Sequence, residues 1–124
     1  MTPEETVDAF FLAAFTGDRE TALSLAADGA EHHGDLDADH AFGGTRPIAE
    51  YVDLIFDWAR THPEYRFDRV DRKTIGDELV VTHLKSTGGD DPDPAEGLMV
   101  MRVRDGKLLR VFAIPATGRG RYGF

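Results

Sequence analysis

The chain has 124 residues, with 14 basic and 23 acidic side chains and a formal charge of −9. That length suits one domain with its own core, and 41% hydrophobic with 30% charged residues is ordinary for a globule rather than a disordered chain. The absence of cysteine excludes disulfides, a thiolate nucleophile and thiolate metal sites. The acidic balance disfavours nucleic acid and anionic membranes as partners, since both are polyanions. No apolar run approaches a membrane span, and MTPEETVDAFF lacks the basic and apolar segments of a signal peptide, so a cytoplasmic location is expected.

Helical signals fill the first half. Thr2, Pro3 and Glu5 make a capping box with proline at the first helical position. Val7, Phe10, Phe11, Ala14 and Phe15 follow at helical spacing, and Gly17 stops the helix. Asp18 is placed to cap a short second helix over Arg19–Ala26, and Ala30–His33 reads as a short strand. A polar loop over Gly34–Gly44 comes next. Thr45 is the expected cap of a third helix with Pro47 in its first turn. Ile48, Tyr51, Val52, Ile55 and Phe56 form its stripe, widened by Trp58, and His62-Pro63 ends it. Four strands are then predicted at Tyr65–Thr74, Glu78–Thr87, Gly97–Arg104 and Lys107–Pro115. Gly76-Asp77 and Asp105-Gly106 are hairpin signals, and Gly88–Glu96 reads as a solvated acidic loop. Residues 1–115 are expected to form one domain, with 116–124 as a Gly- and Arg-rich tail.

Helices followed by strands predict an α+β fold with an antiparallel sheet. The last two strands are partly apolar on both faces. Phe112 and Ile114 would lie on the outer face, which predicts a second cover: a homodimer partner packed sheet to sheet, or the tail folded back.

The run FFLAAFTGDRETALSLAA, then Asp28-Gly29-Ala30, Phe42-Gly43-Gly44-Thr45, Ile48, Tyr51 and the Asp105-Gly106-Lys107 hairpin keep a distinctive order over residues 4–115. In that order the chain resembles the nuclear-transport-factor-2-like superfamily, within it the SnoaL-like polyketide cyclase and ketosteroid isomerase branch. The resemblance implies a cystatin-like cone: three N-terminal helices packed in the concave face of a curved antiparallel sheet, a pocket at the wide end, and dimers through the sheet. Ketosteroid isomerase uses a tyrosine on its first helix, an aspartate base ending its first strand and an acid on a late strand. Those positions fall here on Phe10, His33 and Met99, so the oxyanion-hole donors are missing and that activity is excluded.

His33 remains as the expected general base, with Glu31 two residues earlier on the same strand face as its partner. Phe10, Phe11, Tyr51, Phe56, Trp58, Met99, Met101 and Val111 are the candidate pocket lining, with plain core packing as the alternative. No cofactor is called for. The segment His32–His40 holds three His and three Asp, but it lacks the glycine and glutamate of a calcium loop, and no metal site is expected. Asp35, Asp37, Asp39, Asp90 and Asp91 sit on two loops and predict a small apolar ligand that is neutral or cationic. His83 faces either pocket or interface; His62 reads as structural. The resulting expectation is a cofactor-free isomerase, cyclase or hydratase. A non-catalytic ligand-binding or accessory dimer module of the same fold is the alternative.

Overall fold

The computed structural model describes residues 1–37, 39–91 and 93–116. Arg119, Arg121 and the predicted tail beyond residue 116 lie outside the described residues.

Local chemistry sets the first elements. Helix α1 spans Pro3–Thr16. Thr2 Oγ1 accepts from the Glu5 amide at 3.1 Å, and Glu5 Oε1 accepts from the Thr2 amide at 2.9 Å. Gly17 terminates it in the left-handed region at φ 81°, and a Cβ there would stand 2.6 Å from the Phe56 ring, so glycine is required twice over. Helix α2, Arg19–Ser24, starts on Asp18, whose Oδ1 accepts from the Thr21 amide at 3.2 Å. It ends earlier than expected because strand β1 already begins at Ala26 and runs to Gly34.

Strand β2, Gly44–Pro47, was not foreseen. Thr45 spends its hydroxyl on His33 Nδ1, 3.0 Å away across the β1–β2 pair, instead of capping a helix. Helix α3, Ile48–Thr61, therefore starts after Pro47 with no side-chain cap and ends at His62 as expected. Strands β3 (Arg66–Ile75), β4 (Leu79–Thr87), β5 (Ala95–Arg104) and β6 (Lys107–Pro115) follow. Asp105 and Gly106 both take positive φ, 52° and 72°, the geometry of a two-residue hairpin turn.

The six strands form one sheet in the order β2-β1-β6-β5-β4-β3. This corrects the expected architecture. The sheet is mixed, because β1 runs parallel to β6. It is open, with β2 and β3 as its edges, and is not a curved closed cone. Only α1 and α2 are N-terminal; α3 lies between β2 and β3. The α+β class stands.

The helices cover one face, α1 over β4, β5 and β6 and α3 over β1 and β2. The core lies between them: Val7, Phe10 and Ala14 from α1, Tyr51, Val52 and Ile55 from α3, and Val80, Met101, Val103, Leu108 and Val111 from the sheet. Strand pairing assigns the faces. His32 is opposite Val111, Val111 opposite Met101, and Met101 opposite Val80, so this row points inward. The next row, His33, Phe112, Val100 and Val81, points outward. No helix among the described residues is long and apolar enough to cross a membrane.

Candidate functional site

The parity of β1 decides which histidine meets the core. Ala30, His32 and Gly34 are buried, while Glu31 and His33 alternate with them on the outer face. His33 packs on Phe112 with ring centroids 5.8 Å apart, and its Nε2 lies 3.8 Å from Glu31 Oε1. Glu31 also faces Arg110 at 3.7 Å. The two residues expected as base and partner are thus neighbours, but the sheet separates them from Phe10, Tyr51 and Met101. A shift of one residue in a strand moves a side chain to the other face, and counting along the chain from Asp28 carries that error.

His32 takes the inner position. It is 1% exposed, and its ring stacks on Tyr51 at 3.9 Å with 7° between planes. Its Nδ1 has no hydrogen-bond partner. Burial, with smaller contributions from Arg46 and His33, pushes its imidazolium down to about 3, so the ring is neutral at physiological pH. Burial also raises the Tyr51 phenol well above its ordinary value.

The loop after β1 completes this end. A Cβ on Gly34 would meet the Phe42 carbonyl oxygen at 1.8 Å, so glycine lets the loop fold back across the strand. Arg46 fastens the loop by donating to the Ala41 and Gly43 carbonyls at 3.0 and 2.7 Å. Phe42 is thereby held against Tyr51 and Trp58, with centroids 6.2 and 5.2 Å away. Asp35, expected on a solvated loop, is fully buried, and its amide donates to the Ala113 carbonyl at 2.8 Å.

From Trp58 the ring contacts continue to Tyr65 at 5.9 Å, to Phe67 at 6.3 Å, and from Phe67 to Phe15 at 5.3 Å. An unbroken aromatic track therefore runs from buried His32 through Tyr51, Phe42, Trp58 and Tyr65 to Phe67, which is 41% exposed. Burial changes along it. Phe10, Tyr51, Met101 and Val111 are 0–4% exposed and fill the His32 end as core. Phe11, Phe15 and Met99 are only partly buried; Phe11 packs on Phe10 and Tyr51, and Phe15 on Phe67. Phe56 does not join them: it is 44% exposed and packs at Gly17.

The second acidic loop is tied to the same end of α3. Gly89 sits 3.3 Å from the Trp58 ring by its Cβ position, and Asp90 Oδ1 is 2.7 Å from His62 Nε2. His62 Nδ1 lies 3.0 Å from the Trp58 carbonyl. The Thr61 hydroxyl also lies 3.0 Å from Nδ1. The Asp90 hydrogen bond raises the His62 pKa. His83 is on the outer face, bonded to Glu96. Among the described residues no group of three or more His, Asp or Glu converges to hold a metal ion.

No protein-family model matches the chain, and no curated protein does. Solved structures do. A protein of unknown function with a cystatin-like fold from Methylobium petroleophilum superposes with a TM-score of 0.75 over 95% of this chain and 78% of its own, at 11% identity. An NTF2-like protein of unknown function from Cytophaga hutchinsonii gives 0.68 over 93% and 90%, at 12% identity. The fold is the NTF2-like, cystatin-like fold. Wild-type IdmH of Streptomyces antibioticus, a candidate polyketide cyclase, matches with a TM-score of 0.67 over 94% of this chain and 93% of its own, at 25% identity.

Proposed function

We propose that the chain is a SnoaL-like protein that holds a small, apolar, neutral or cationic molecule on the inner face of its sheet, at the partly exposed end of the aromatic track. The observation that carries this reading is the track itself, closed by core at His32 and partly exposed at Phe15, Tyr65 and Phe67, with partly buried Met99 on the same face of the sheet. Small-molecule sites are concave, mostly aromatic and apolar, with few polar groups. Asp90 and Asp91 lie on the loop that meets Trp58 and His62, and Asp37 and Asp39 on the loop at the His32 end; this acidic balance disfavours anions.

Binding is favoured over base catalysis by the state of His32. A catalytic base works best with a pKa near the operating pH, and burial holds His32 far below it. His33 and Glu31 stand on the opposite face and are assigned here to the interface side. The likeness to IdmH supports a second reading, a cofactor-free isomerase, cyclase or hydratase in which neutral His32 would hydrogen-bond a carbonyl. Titration with 1-tetralone, followed in protein NMR spectra, tests the first reading. Tyr65→Ala should weaken binding by about fivefold while Phe112→Ala leaves it unchanged. The absence of saturable binding, or the reverse pattern of variants, contradicts the reading.

The outer face supports a homodimer. Leu98, 40% exposed, is joined by partly exposed Val81, Val100 and Ile114, with Phe112 in the same patch. Charged pairs frame it, Glu31–Arg110 on one side and His83–Glu96 on the other. A second copy would meet an apolar centre with a polar rim, the usual anatomy of a protein interface.

A further inference from the structure

The inner face carries a second set of polar groups, on β3 and β4. Arg72 and Thr82 are direct cross-strand partners, and Thr74 stands two residues along from Arg72 on the same face. Thr82 is 2% exposed and its Oγ1 has no hydrogen-bond partner. Arg72 Nε and Thr74 Oγ1 are also buried and without partners. The Arg72 side chain is 13% exposed, and its Nη2 donates to Asp8 Oδ1 of α1 at 2.8 Å. Arg69 approaches the same carboxylate at 3.8 Å.

A buried polar group left without a hydrogen bond is destabilising, because it has given up water and gained no partner. Three of them side by side concentrate that cost at one place. That place borders the site proposed above, because the other cross-strand partner of Thr82 is Met99.

The chemistry of the set selects a ligand group. A guanidinium Nε–H can only donate, and a threonine hydroxyl can donate as well. Two donors on directly paired residues suit one acceptor oxygen. Asp8 pairs closely with buried Arg72, while Arg69, half exposed and 3.8 Å from the same carboxylate, is screened by water, so the buried set offers donors rather than an unpaired charge. A ketone oxygen accepts from such donors without bringing a second anion beside Asp8.

We infer that Arg72 and Thr82 form the polar end of the inner-face site and hold the carbonyl oxygen of an uncharged, otherwise apolar ligand. This inference rests on the inner-face binding reading and adds the functional group that the site recognises.

The test compares 1-tetralone with tetralin, which has the same fused-ring skeleton without the oxygen. Affinities are read by NMR titration of the full-length protein, Thr82→Val and Arg72→Met, and folding of each variant is checked in the same spectra. Wild type should bind the ketone about tenfold more tightly than the hydrocarbon, the value of one hydrogen bond. Thr82→Val and Arg72→Met should each narrow that gap, and the Arg72 Nε–H resonance of wild type should shift with the ketone alone. Equal binding of the two probes to wild type, or a gap that neither variant narrows, overturns the carbonyl assignment and leaves the inner-face site standing. If neither probe binds, the inner-face reading fails and the carbonyl assignment falls with it.

Discussion

Acid should destabilise this protein through His32, and the size of the effect follows from its environment. The imidazolium lies at about 3 in the folded chain against an ordinary 6.5. The unfolded chain therefore takes up a proton that the folded chain refuses. Above pH 6.5 this difference costs nothing. Below it, stability falls by about 1.4 kcal/mol per pH unit until the folded value is reached. Between pH 7 and pH 5 the loss from this one group is about 2 kcal/mol. His32→Phe removes the titration and keeps a flat ring on Tyr51. Urea unfolding of both proteins at the two pH values isolates the effect, because every other group titrates alike in each. Wild type should lose about 2 kcal/mol more than the variant. Equal losses would refute the buried placement of His32, as would a His32 ring signal that titrates near neutrality.

Other expectations follow from single contacts. Phe10→Ala empties a site with no exposure and removes the ring against Phe11 and Tyr51, so it should cost about 3–5 kcal/mol in urea unfolding. Gly34→Ala should unfold the chain or free the Phe42 loop, whereas Gly29→Ala should cost only about 1 kcal/mol, because its Cβ meets nothing and only its φ of 76° is strained. Circular dichroism melts of the two variants separate these outcomes. The pair His62–Asp90 works in the opposite sense from His32. Its raised pKa gives stability that is fully present below about 6.5 and is lost as pH rises through the folded value. Asp90→Ala should therefore lower the melting temperature at pH 5.5 and have a smaller effect at pH 9. On the outer face, Leu98→Asp should convert a dimer to monomer in sedimentation velocity, and an unchanged mass would discard that interface.

What could be read in the chain alone depended on the range of the interaction involved. Thr2 with Glu5, Gly17, Asp18 and Asp105-Gly106 act within a few residues, and each marks its helix end or turn in the structure. Non-local pairing was not readable. Gly44–Pro47 has no strand pattern of its own and is a strand because it pairs with β1, where Thr45 meets His33. The parallel match of β1 to β6 joins distant segments, so a run of C-terminal strands suggested a purely antiparallel sheet. The site suffered from the two-residue period. His32 and His33 are adjacent and chemically identical, and pairing with Val111 or Phe112 sets inner against outer. The alternation of Ala30, His32 and Gly34 with Glu31 and His33 was the available signal, since the smaller and less charged set faces the core. Asp35 looked like a loop acid because no sequence feature announces that Gly34 lets the loop fold over it.

The central claim is that a small apolar molecule occupies the inner face at the half-open end of the aromatic track. The three methionine methyl groups report on it directly. Met99 is partly buried beside Thr82, Met101 is 1% exposed within the core, and Met1 is 71% exposed. In a methyl NMR titration with 1-tetralone, the account predicts a saturable shift at Met99, with cross-relaxation from ligand protons to its methyl, and no response at Met1. A saturable ligand that leaves Met99 unmoved would contradict it.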